Sequence, residues 1–161
     1  MTQWTVNKVS MSPPKGAKKE GPDESGLTVH VHKGRVVRWE WVVTGDGDRG
    51  SDYRDVDPGA GMHRGHVMSC QEGAKDTWIA DSEYNIVPQT PTVNLSNVKR
   101  FENWRSENAL DCTVVVVQPA ENGMMTFEIK DSDPPIKTTF DPMSNERFPD
   151  GWFFQPGPWP A

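Results

Sequence analysis

The longest unbroken apolar run in this chain of 161 residues is Val114-Val115-Val116-Val117. Such a run is far short of the roughly 20 residues of a membrane-spanning helix. Its β-branched side chains fit a short buried strand, expected here over Asp111 to Gln118. Other segments repeat the pattern more weakly. Leu27 to His32 and Arg35 to Val43 are rich in Val, Thr and Trp, and Lys33-Gly34 between them reads as a hairpin turn. Met124 to Lys130 and Pro135 to Phe140 read as a second hairpin. With 14 Gly and 14 Pro, the chain is broken too often for long helices.

Helical periodicity is confined to the middle. Val98, Phe101 and Trp104 recur every third residue, which puts them on one face of a helix starting near Thr92 or Asn94 and running through Glu107. A second, short helix is expected between Asp76 and Ser82. Weak alternation of Trp4, Val6 and Val9 suggests an edge strand, whereas Pro13 to Gly26 reads as loop. Thr44 to Gly61 is a polar loop holding five Asp. From Asp141 on, Pro, Gly and aromatics (Trp152, Phe153, Phe154, Trp159) suggest an irregular tail packed on the surface. The expected fold is α+β: one domain over 1–161, with antiparallel sheets on either side of a helix-bearing middle. Its 1–26 segment is partly loop-like and its 141–161 tail irregular.

The net charge of −6 weighs against a protein that must hold nucleic acid tightly, because phosphate contacts need Lys and Arg. It weighs less against an enzyme that binds briefly, provided cations gather where the substrate lies. Lys99, Arg100 and Arg105 fall on or beside the expected helix. Two cysteines, Cys70 and Cys112, make no disulfide framework and no four-cysteine zinc site, and read as packing residues unless the fold pairs them. No basic segment followed by an apolar stretch opens the sequence, so no signal peptide is read there.

The middle third holds Gly61-Met-His-Arg-Gly-His66, Tyr84-Asn-Ile-Val-Pro-Gln89, Thr92-Val-Asn94 and Phe101-Glu102-Asn-Trp104 in that order. This grouping resembles the DNA/RNA non-specific endonucleases, whose site is a ββα-metal motif. In that family Arg-Gly-His ends a strand, and an Asn shortly followed by Pro-Gln comes roughly twenty residues later. A second Asn then opens a helix, with a Glu two turns along it. Asp52 to Glu107 carries the likeness. One position departs from it: the family commonly has Asp before Arg-Gly-His, and this chain has His63. Only 18 residues separate His66 from Asn85, so no large inserted loop is expected over the site.

The resemblance implies roles that the chemistry makes sensible. His66 would be the general base, since a neutral imidazole with a pKa near 6.5 suits removal of a proton from water. Asn85 would orient it by accepting the other ring N–H. Asn94 would bind Mg²⁺ (with Mn²⁺ as substitute), a hard ion that keeps most of its waters and takes oxygen donors. Glu102 would reach that ion through water, with Glu107 as fallback in another helix register. Arg64 would hold phosphate, with Arg100 and Arg105 as further substrate contacts. Family members of this size often serve as toxin modules delivered as part of a larger protein. The nuclease likeness implies DNA or RNA as substrate, the toxin role an immunity protein as partner, and the lack of any membrane-length apolar run no membrane.

Blander readings stand beside these. Asn94 fits a helix N-cap, and Glu102 and the basic residues a solvated helix face. His30 and His32, with His63 and His66, would suit a zinc-binding regulatory domain. A degenerate site that grips nucleic acid or protein without cutting is the alternative to a nuclease.

Overall fold

Residues 9–154, apart from Asp46 and Arg49, are described by the computed structural model. The edge strand expected around Trp4 and Val6, and Trp159, lie outside the described residues. Six strands form one sheet in the order β1-β2-β3-β6-β7-β8. They are β1 (Lys18–Glu20), β2 (Thr28–His32), β3 (Arg35–Val42), β6 (Thr113–Val117), β7 (Met125–Ile129) and β8 (Ile136–Phe140). Two more, β4 (His63–His66) and β5 (Ile86–Gln89), form a separate antiparallel pair. Every strand pairing in both sheets is antiparallel. One α-helix, α1 (Val98–Asn108), follows β5 through a π-helical turn, Val93–Asn97. The fold is thus mixed α+β with antiparallel sheets.

Period-two alternation explains how the large sheet buries one face. Trp39 and Trp41 of β3 lie opposite Val116 and Val114 of β6, which lie opposite Phe127 and Ile129 of β7, all buried. Between them, Arg38 and Glu40 point the other way and pair at 2.9 Å. The β2–β3 hairpin turns at Lys33 and Gly34, whose φ values of 52° and 80° match the left-handed pair that a tight hairpin requires.

Three expectations change. The Pro13–Gly26 stretch is not all loop, because β1 within it extends the sheet edge beside β2. No helix forms over Asp76–Ser82. The buried Asp23 carboxylate takes the Ile79 and Ala80 N–H groups (2.9 and 3.1 Å) and the Thr77 hydroxyl, so those donors are satisfied without a helical ladder. These hydrogen bonds, with those from Ser25, outweigh the opposing effect of burial and hold Asp23 below the usual carboxylate range. Finally, the described part of the C-terminal tail, 141–154, is no surface appendage. Phe148, Trp152 and Phe153 are buried, and Phe153 stacks on Phe101 at 4.7 Å, so the tail closes the core over α1.

Candidate active site

Strand β4 is the tetrapeptide His63-Arg-Gly-His66, and its alternation divides it into two faces. Gly65 lies over Gln89, and a Cβ there would come within 2.2 Å of the Gln89 side chain, so any larger residue would have to displace that buried side chain. Arg64 and His66, on the other face, border a cavity of about 360 Å³. Asn94 and Glu102 border the same cavity from the helix.

The helix reaches this phase through its π turn. At about 100° per residue, eight α-helical steps from Asn94 to Glu102 would leave them roughly 80° apart. A π turn takes up an extra residue, which brings the pair close to a seven-residue repeat and one face. Side chains hold carbonyls of the widened turn: Arg100 Nε donates to Ser96 O at 3.2 Å and Trp152 Nε1 to Asn97 O at 3.1 Å. The helix cap is not Asn94 but Thr90, whose hydroxyl accepts the Val93 N–H at 3.2 Å. Asn94 instead places its Nδ2 3.2 Å from His63 Nδ1.

The polar loop supplies the opposite wall. The Tyr53 ring packs edge-on against His66 with centroids 4.6 Å apart. The buried Asp81 carboxylate secures this part of the loop by accepting the Asp52 and Tyr53 N–H groups at 3.0 and 3.3 Å. Arg64 is exposed, and its Nε donates to Val56 O at 2.6 Å, which aims the guanidinium along the cavity rim.

Three of the expected site residues have other work. Asn85 does not border the cavity. Its Oδ1 accepts the Met68 N–H at 2.8 Å and its Nδ2 donates to Met68 O and Ala80 O, so it clamps the chain beyond His66 and is a scaffold residue. Arg105 is fully buried and ion-paired with Glu72, out of reach of any substrate. Arg100 ties the helix to the C-terminal segment through Phe148 O, Asn97 Oδ1 and Asp150. The cations that do border the cavity are Arg64, Lys75 and Lys99, faced by Asp48, Asp81 and Glu102. The site is therefore charge-balanced, not the positive groove expected from the helix. Tyr53 and Lys75 carried no motif signal, because only the folded loops bring them to His66. Lys99 was visible as one of several helix cations and could not be told from Arg100 without the helix phase.

A second acidic region adjoins this cavity through Asp81. The ligand oxygens of Asp52, Asp76 and Asp81 lie within 4.8 Å of one another, and among the described residues this is the one such group that could hold a cation. The four histidines form no such group, with His30 and His32 on the other sheet. The hydrogen bond to Asp81, then the charge of Asp81, with lesser parts from desolvation and last from Asp52, pushes the Asp76 carboxyl up. Both cysteines are free, Cys70 at the cavity and Cys112 buried. No helix among the described residues is long and apolar enough to cross a membrane. No family model, curated protein or solved structure gives a significant match to this chain.

Proposed function

We propose that the chain is a metal-dependent nuclease that hydrolyses phosphodiester bonds in DNA or RNA with little sequence preference. The observation that supports this reading is the convergence of His66, Arg64, Asn94 and Glu102 on one cavity, the first two from β4 and the others from the π turn and helix that follow the antiparallel pair. Strand pair followed by helix resembles the order of parts expected of a ββα-metal site. The donor set fits the implied ion. Asn94 offers a neutral amide oxygen and Glu102 a carboxylate, hard ligands of the kind that Mg²⁺ or Mn²⁺ accepts while keeping most of its water. When bound, such an ion would stabilise charge on the phosphate and the leaving oxygen.

The chain's own groups perform the remaining steps. His66, held against Tyr53, takes a proton from a water lined up on the phosphorus. Arg64, Lys99 and Lys75 hold the non-bridging phosphate oxygens and offset charge that grows in the transition state. A role as the toxin domain of a delivered effector, with a matching immunity protein, rests on the resemblance alone.

Incubation with plasmid DNA and total RNA, with Mg²⁺ or with chelator, tests the reading. Cleavage should require the metal, and His66→Ala should lose at least about 100-fold in rate, the lower end of a general base's contribution. Undiminished cutting in excess chelator, or by a folded His66→Ala protein, would sink the mechanism. Tight nucleic-acid binding with no cutting would instead mark a degenerate binding module.

A further inference from the structure

We infer that His63 is a positioning residue that aims the Asn94 amide oxygen into the cleft, an inference that rests on the reading of Asn94 as a cation ligand. Asn94 Nδ2 can only donate, so at 3.2 Å the His63 Nδ1 is the acceptor and the ring carries its proton on Nε2. The side-chain amide is planar, with its oxygen and nitrogen on opposite sides of Cγ. Holding the nitrogen on His63, which is on the face of β4 opposite the cavity-lining Arg64 and His66, leaves the oxygen as the amide atom to face the cavity that Asn94 borders. The reverse orientation would present two N–H donors to a cation and repel it. An unheld amide would divide its time between the two.

The position concerned is the one where this chain departs from the nuclease pattern. His63 lies on the face of β4 opposite His66 and Arg64, so it contacts Asn94 without occupying the space where substrate and water would lie. Its backbone is fixed by pairing with Gln89 of β5. The strand that carries the base thus also carries the group that orients the ligand, which couples the two halves of the site through one short element. Partners behind a ligand typically control metal affinity by about 10–100-fold.

Mn²⁺ binding to the full chain, followed by electron paramagnetic resonance, reads this directly. His63→Ala should weaken Mn²⁺ binding about 10–100-fold. His63→Asn, whose Oδ1 can take the place of the ring nitrogen, should recover most of that loss. The Asn94 side-chain NH₂ signals in an NMR spectrum should shift in the alanine variant and return toward wild type in the asparagine one. The metal concentration for half-maximal cleavage should rise in His63→Ala, with the rate largely recovered at saturating metal. Equal Mn²⁺ affinity in wild type and His63→Ala, no Mn²⁺ binding by the wild type, or an asparagine variant as weak as alanine would overturn the inference. If the wild type binds Mn²⁺ in a His63-dependent way yet cuts neither DNA nor RNA, the nuclease reading falls and the positioning role stands. If it cuts while Mn²⁺ affinity ignores His63, the reverse holds.

Discussion

Helix α1 carries two clusters of charge three residues apart that have opposite fates. Arg105 points into the core, where Glu72 accepts its Nε and Nη2 at 2.7 and 2.5 Å. The Trp41 indole and the Ser69 backbone and hydroxyl add donors to the same carboxylate. The Arg105 guanidinium also lies over Phe101 and Phe127, 4.5 and 5.0 Å from their ring centres. Glu102, by contrast, faces a cavity with Arg64, Lys99 and His66. The residue types are the same in both places. What differs is whether the charges are sealed in the core or border a gap of about 360 Å³. Charges completed from within hold the helix against the sheet, and those at the cavity stand within reach of a ligand.

The strongest test of this contrast breaks the buried half. Arg105→Leu leaves Glu72 as an uncompensated buried charge, at a cost of about 3–5 kcal/mol. For a chain of this size, that corresponds to a fall in Tm of about 6–20 °C. Replacing both partners together, as Glu72→Gln with Arg105→Met, should recover part of the loss. Thermal denaturation of the three proteins decides the matter. A cost under about 1 kcal/mol for Arg105→Leu would mean that the pair does not anchor the helix.

The same contrast explains what could be read in advance. The large sheet was legible because burial on one face imprints alternation on β3 and β branching on β6, both local in sequence. That His66, Arg64, Asn94 and Glu102 would meet at one cavity could be expected from the order of the short motifs that carry them. Arg105 and Arg100 were misassigned because sequence shows a cation on a helix without showing where its charge is spent. Arg105 needs Glu72 from 33 positions away, and Arg100 needs Phe148 O from 48. Asn85 was misassigned for a related reason: an amide that suits a catalytic histidine suits a backbone clamp equally well. The π turn, which sets the phase of Asn94, depends on Arg100 and on Trp152, 55 residues beyond Asn97, and leaves no local mark.

Adjacent residues sharpen the comparison on the open side. Lys99 borders the cavity, whereas Arg100 beside it is spent on Phe148 O, Asn97 and Asp150. On the proposed nuclease reading, Lys99→Gln should raise KM for nucleic acid several-fold and reduce the salt dependence of binding by about one unit of log–log slope. Arg100→Gln should leave that slope alone and show its effect in Tm. Binding measured across a salt series separates the two, and equal slopes for both variants would erase the distinction between spent and available cations.

The smallest effect concerns Asp52, Asp76 and Asp81, which bring like charges together at the edge of the cavity. Asp76 is the member whose carboxyl is pushed up, first by its hydrogen bond to Asp81 and then by the charge of Asp81. A carboxyl whose folded pKa lies above its unfolded value favours the fold when protonated. That contribution is fully present below the unfolded value of 3.8 and is lost as pH rises through the folded pKa. At neutral pH, then, the ionised Asp76 weighs against the fold. Asp76→Asn keeps a donor for Asp81 and removes the charge, so it should raise Tm slightly at pH 7. The gain should shrink as pH falls toward 3.8, where wild-type Asp76 begins to hold its own proton. Melting curves from pH 3 to 8 in the presence of chelator, so that no divalent cation offsets the repulsion, measure this difference. A gain that stays constant with pH would show that the asparagine acts through packing. A loss at pH 7 would show that the ionised Asp76 contributes to the loop that carries Tyr53, joining this cluster to the completed class.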